Sequence, residues 1–172
     1  MTTPHSPHVD LARRAIAAWL REQRVIAPGD GLPPLLRERA GVFVSLHDGD
    51  ALRGCIGTIE PEQDTIAEEI VVNAIRAATQ DPRFPAVTSD ELDRLDCKVD
   101  VLGPPEPIAG PESLDPRRYG AIVECGRRRG LLLPDLDGVD TVAQQLDICR
   151  RKAGIAPSEP VRLYRFTVTR YR

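Results

Sequence analysis

Arg53-Gly54-Cys55-Ile56-Gly57 sets a thiol beside a guanidinium and between two glycines, inside a run otherwise suited to β-structure. Glycine weakens a strand, so two of them here point to close approach by another backbone or by a ligand. A thiol next to Arg is held partly as thiolate, the form that attacks electrophiles and binds metals. Cysteine is also among the most buried residue types, and Cys55 reads equally as a small packed core thiol. Asp81-Pro82-Arg83-Phe84-Pro85 is the second candidate. Two prolines fix a carboxylate and a guanidinium on a loop, where they can present a preorganised polar pair to a small ligand. The alternative is a helix stop that Asp81 caps while Phe84 plugs the core. Thr58, Glu60 and Glu62 line either a cleft or a solvated rim near the same place.

The elements that position these residues are read from periodicity and turn chemistry. Apolar residues at Leu11, Ala15, Ile16, Trp19 and Leu20 predict an amphipathic helix from Val9 to Gln23, after a frayed start over residues 1–8. Residues 41–59 form two β-rich runs around Asp48-Gly49, a strong hairpin signal. With those two residues as the turn, Val42 faces Cys55 and Val44 faces Arg53. Val42, Val44, Leu46, Arg53 and Cys55 then share one face, and His47 lies across the strand from Cys55. Thr65 and Glu68 form a capping box for a helix from Asp64 to Thr79, striped by Ile66, Ile70, Ala74 and Ala77. Cys97 to Leu102 alternates as a strand. Gly103 to Pro116 is read as a stiff Pro-rich connection between two lobes of a single domain spanning residues 1–172.

The second half follows the same grammar. Gly120-Ala121-Ile122-Val123 parallels Gly41-Val42-Phe43-Val44, and Arg129-Gly130 parallels Arg53-Gly54. Thr141 with Gln144 caps a second helix, and Val161 to Tyr171 closes the chain as one strand. The fold class predicted is α+β, a mainly antiparallel sheet with flanking helices and an internal hairpin–helix duplication.

Composition narrows the function classes. The 172 residues carry 23 basic and 26 acidic groups, a net charge of −3, which gives no whole-molecule reason to expect polyanion binding. All the basic residues but Lys98 and Lys152 are Arg, and Arg127-Arg128-Arg129 at the second hairpin tip is the one cluster that could touch phosphate. One Trp, three Tyr and three Phe are too few for a base-stacking platform. Cys55, Cys97, Cys125 and Cys149 stand singly, without metal-site spacing, as expected of reduced thiols in a cytoplasmic protein. No apolar run approaches a membrane span. Phosphate-binding loops, dinucleotide fingerprints, serine-hydrolase elbows and zinc-protease motifs are all missing from the sequence.

The run Leu52-Arg53-Gly54-Cys55-Ile56-Gly57-Thr58 resembles the signature of the AMMECR-one domain family, whose microbial members are also called AmmeMemoRadiSam system protein A. The likeness continues at Asp81 to Val87, at Gly130-Leu131-Leu132-Leu133-Pro134 and at Arg151-Lys152-Ala153-Gly154. It implies an α+β fold with internal duplication, and places Arg53, Gly54, Cys55, Asp81 and Arg83 at motif positions. It further implies a modification pathway shared with a Memo-like protein and a radical S-adenosylmethionine enzyme, without naming an activity or a cofactor. On that reading Cys55 is nucleophile or redox thiol, Arg53 lowers its pKa or holds an anionic group, and Gly54, Asp81 and Arg83 bind ligand. A nucleic-acid-associated or other interaction module, with Cys55 structural, is the alternative.

Overall fold

The structure, a computed structural model, describes residues 6–172. Of the expected frayed start, residues 1–5 lie outside the described residues, whereas Pro7 and His8 are helical. The chain forms two compact units, one running to Val101 and taking back Thr169–Arg172, the other Leu102–Val168.

In the first unit, helix α1 (Pro7–Glu22) begins at the Ser6 N-cap, with proline at its first position where the missing N–H costs nothing. Strands β1 (Val42–Asp48) and β2 (Ala51–Gly57) form the expected hairpin. Helix α2 (Ile66–Thr79) starts at a Thr65–Glu68 capping box, worth about 1 kcal/mol. A single turn, α3 (Ser89–Leu92), leads to β3 (Asp96–Leu102). The sheet has the order β2-β1-β3-β8, with β8 (Val168–Tyr171) contributed by the chain end. Helices α1 and α2 cover one face, burying Val42, Val44 and Leu46 of β1 and Cys97 and Val99 of β3.

The hairpin differs from the sequence-based register. Its two-residue turn is Gly49-Asp50, with Gly49 at φ 59°, as the first central position of a type II′ turn requires. Asp48 pairs with Ala51 and His47 with Leu52, and then the register shifts, so that Leu46 meets Gly54, Ser45 meets Cys55 and Phe43 meets Gly57. Arg53 is the extra residue of a β-bulge. The shifted turn moves the pairing by two residues and the bulge by one more, so Cys55 pairs with Ser45 in place of Val42, and the odd step of the bulge turns it from the core face to the opposite one. On that second face β3 adds Asp96, Lys98 and Asp100 opposite His47, Ser45 and Phe43.

The second unit has the strand order β4-β7-β5-β6. These are β4 (Glu106–Ile108), β5 (Gly120–Cys125), β6 (Arg128–Leu132) and β7 (Arg162–Phe166), with helix α4 (Val142–Ala153) after the β5–β6 hairpin. The Pro-rich stretch is therefore part of this unit, with β4 pairing β7 at the sheet edge, where Pro107 removes no ladder bond from a central strand. The single closing strand expected over 161–171 is two strands in two sheets, parted at Thr167. Both units thus place a hairpin before a capped helix. In each, a glycine of the hairpin's second strand abuts that helix: a Cβ on Gly54 would strike the Ala77 carbonyl oxygen, and one on Gly130 that of Cys149.

Candidate functional site

Cys55 is half-buried on the outer edge strand of the first sheet. Its N–H points away from β1 and donates to Asp81 Oδ2 at 2.9 Å. Asp81 reaches it because α2 is capped at Gln80 and Pro82 forbids another turn, which turns the chain back across the β2 edge. An edge N–H that would otherwise invite pairing with another strand is thereby capped by a carboxylate.

The same carboxylate grips Arg83. Oδ1 accepts from the Arg83 backbone N–H and from Nε, each at 3.0 Å, and Oδ2 accepts from Nη2 at 2.7 Å. Asp81 is buried, yet Arg83's side-chain hydrogen bonds hold its carboxyl far below the usual range, overriding desolvation, with the Cys55 and Arg83 N–H groups assisting. Arg83 itself has a side chain 57% exposed, stacked over Phe84 at 5.5 Å, and its charge is favoured chiefly by the Asp81 hydrogen bonds and, when Cys55 is ionised, by the thiolate. A fixed guanidinium with an exposed edge beside a thiol is a ready dock for a carboxylate or phosphate. Phe84 is only half-buried, and Val87 is the residue of this loop that enters the core.

Arg53 has a different place from the one beside the thiol. The bulge directs its guanidinium onto Glu91, with Nε–Oε1 and Nη2–Oε2 both 3.1 Å, and onto the Pro85 and Ala86 carbonyls at 2.8 and 3.4 Å. Glu91 in turn accepts the Thr88 N–H at 2.8 Å, and these contacts hold its carboxyl below the ordinary value. Arg53 thus fastens the 81–91 segment against β2, and Gly54 lets β2 lie directly on α2.

Sequence reasoning missed a neighbouring polar node. Glu69, fully buried on α2, accepts from Thr58 Oγ1 at 2.9 Å, from Asn73 Nδ2 at 3.1 Å and from the Gln63 and Glu62 N–H groups. It ties down the exit from β2. The signal was available: Glu69 and Asn73 are spaced i, i+4 and flank Ile66, Ile70 and Ala74 on the buried side of α2. Thr58 belongs to this node, and Glu62 pairs with Arg76 at 3.0 Å.

Elsewhere several arginines of the two clusters meet acids. Arg128 lies on Glu159, Arg129 is 3.7 Å from Glu124, and Arg117 reaches Asp135 and Asp140. His8, expected in the frayed start, is buried and stacked on Tyr171 at 3.6 Å. Among the described residues, no three His, Cys, Asp or Glu side chains gather to hold a metal ion, and no helix is long and apolar enough to cross a membrane.

The AMMECR1 family model matches residues 9–171, which takes in Cys55, Asp81 and Arg83. The chain belongs to the AMMECR1 family. A protein of Thermotoga maritima is 53% identical to this AMMECR1 chain over 169 residues, covering 96% of the chain and 97% of the relative. A Clostridium acetobutylicum protein is 47% identical over 171 residues, covering 96% of the chain but only 36% of the relative, which therefore carries much further sequence beside its AMMECR1 unit. The crystal structure of uncharacterized protein PH0010 from Pyrococcus horikoshii matches the AMMECR1 fold described above with a TM-score of 0.88 at 38% identity, covering 95% of this chain and 88% of that one.

Proposed function

We propose that this AMMECR1 protein is the thiol-bearing component of a modification pathway shared with a Memo-like protein and a radical S-adenosylmethionine enzyme. In it, Cys55 reacts with an electrophilic carbon of a substrate whose anionic group docks on Arg83. The sulfur–carbon bond forms as the leaving group departs with its electron pair, and the thiol proton passes to a neighbouring acceptor. The observation that carries the reading is the Asp81 carboxylate, which takes both the Cys55 N–H and the Arg83 guanidinium and so anchors to one group both the cation and the backbone that bears the thiol. Arg53 and Gly54 act as positioning residues for that pair. The longer Clostridium relative supports work alongside another protein module, since one chain there joins an AMMECR1 unit to further sequence.

Alkylation with iodoacetate and iodoacetamide tests the site, because the two reagents differ chiefly in charge. A unit charge a few ångströms away in an exposed site is worth about 1 kcal/mol, or about fivefold in rate. Arg83→Gln is expected to slow iodoacetate at Cys55 by about that factor, leaving iodoacetamide nearly unchanged, and Arg83→Lys to retain most of the preference. An equal effect of Arg83→Gln on both reagents would overturn the docking role.

A further inference from the structure

The bulge at Arg53 brings His47 and Cys55 to the same face of the sheet, and Ser45 stands between them. Ser45 and Cys55 are direct cross-strand partners. Because the Cys55 N–H points outward to Asp81, the two form a non-hydrogen-bonded pair, the kind whose side chains come closest, with Cβ atoms about 4.5–5.5 Å apart. On the other side Ser45 Oγ lies 3.2 Å from His47 Nε2. All three residues are half-buried, so the row is sheltered but reachable.

We infer that Ser45 and His47 form a proton relay for Cys55, with His47 as the terminal base. This rests on the reading of Cys55 as a reactive thiol, and names the acceptor that reading leaves open. In the Nδ1–H tautomer, Nε2 accepts the Ser45 hydroxyl. As sulfur attacks, the thiol proton passes to Ser45 Oγ and the serine's own proton to Nε2, leaving a sulfur adduct, an intact serine and an imidazolium. Atoms and charge balance without a further reactant.

The surroundings suit a base. From β3, Asp96 faces His47, with Lys98 and Asp100 beside it, and Arg170 of β8 pairs with Asp100 at 2.8 Å. From β2 the facing residue is the apolar Leu52. Burial, followed by Lys98 and Arg170, lowers the imidazole below its ordinary 6.5, while Asp96 and Asp100 oppose them, so the ring is neutral and able to accept a proton at pH 7. Asp96 and Asp100 would face the imidazolium once it forms.

The relay is read from the pH dependence of Cys55 alkylation by iodoacetamide in the full chain, resolved by peptide mass spectrometry. In the wild-type protein the rate is expected to rise on a limb below pH 6.5 and to be nearly level from 7 to 8. His47→Gln and Ser45→Ala should each remove that limb, so that the rate follows thiol ionisation near the roughly 8.5 of a free cysteine and falls at least about tenfold at pH 7. Ser45→Thr keeps the hydroxyl and should restore the low-pH limb, which a merely structural loss would not permit. Identical profiles in wild type, His47→Gln and Ser45→Ala would overturn the relay while leaving the thiol site standing. A wild-type Cys55 that reacts only on unfolding would overturn the thiol site itself.

Discussion

Asp81 accepts the backbone N–H of Cys55 at 2.9 Å across 26 residues of sequence, and the same carboxylate orients Arg83. The cation and the backbone that carries the thiol are therefore anchored by one buried acid.

That acid makes a pH-dependent contribution with a definite sign. Its folded-state pKa is depressed, so the stability it provides is present above the unfolded value near 3.8 and is lost as pH falls through the folded one. Arg83→Ala removes the leading cause of the depression and is expected to cost about 1–2 kcal/mol at pH 7, the lower part of the range for charged hydrogen bonds because Arg83 is more than half exposed. Urea unfolding should show the gap between wild type and variant closing as pH drops below 3.8. An equal gap at pH 7 and pH 2.5 would contradict the assignment.

Gly54 is required by packing. Its missing Cβ is the space taken by the Ala77 carbonyl oxygen, which is helix backbone and cannot give way. Gly54→Ala should destabilise the protein by about 2–3 kcal/mol, and Gly130→Ala, against the Cys149 carbonyl, should act in the same direction. Gly31→Ala, with nothing within 4 Å of the added carbon, is the control, and thermal melts would compare the three. A Gly54→Ala melt that overlays the Gly31→Ala melt would remove the close-packing argument.

His8 gives a second pH signature. Its ring is buried against Tyr171 with neither nitrogen partnered among the described residues, and burial lowers its pKa from 6.5. Stability is then full above 6.5 and falls as pH drops below it, because the unfolded chain protonates first. His8→Phe keeps an aromatic stack and removes the titration, so wild type should lose about 1 kcal/mol relative to the variant between pH 7 and pH 5. Parallel stability curves would refute this.

Two thiols should be silent in the folded protein. Burial pushes Cys97 and Cys149 up to about 12, so neither supplies thiolate near neutral pH. Their labelling should appear only with urea, tracking unfolding. Rapid labelling of either in buffer would mean that its unit opens locally.

The sequence was most legible where structure is local. Thr65 with Glu68 and Thr141 with Gln144 cap their helices through contacts three residues apart, so both starts could be read directly. The register of the first hairpin could not. It turns on a bulge whose extra residue, Arg53, is drawn to Glu91 and Pro85, and a sequence pattern carries no trace of a partner 38 residues away. The same slip decided the site. Asp81 and Arg83 were read as a pair, and the family resemblance set them with Cys55, whereas the hydrogen bond that joins them to the Cys55 backbone and the placing of His47 on the thiol's face depend on that long-range geometry. β4 was hidden by its prolines, which an edge strand tolerates.

The central claim is that Cys55 is a reactive thiol and not packing. The most direct measurement is the rate at which iodoacetamide labels each cysteine of the folded protein across pH, located by peptide mass spectrometry. The account predicts that Cys55 is alkylated fastest at pH 7, ahead of Cys125, with Cys97 and Cys149 untouched. Cys55 remaining unlabelled until urea unfolds the chain would contradict it.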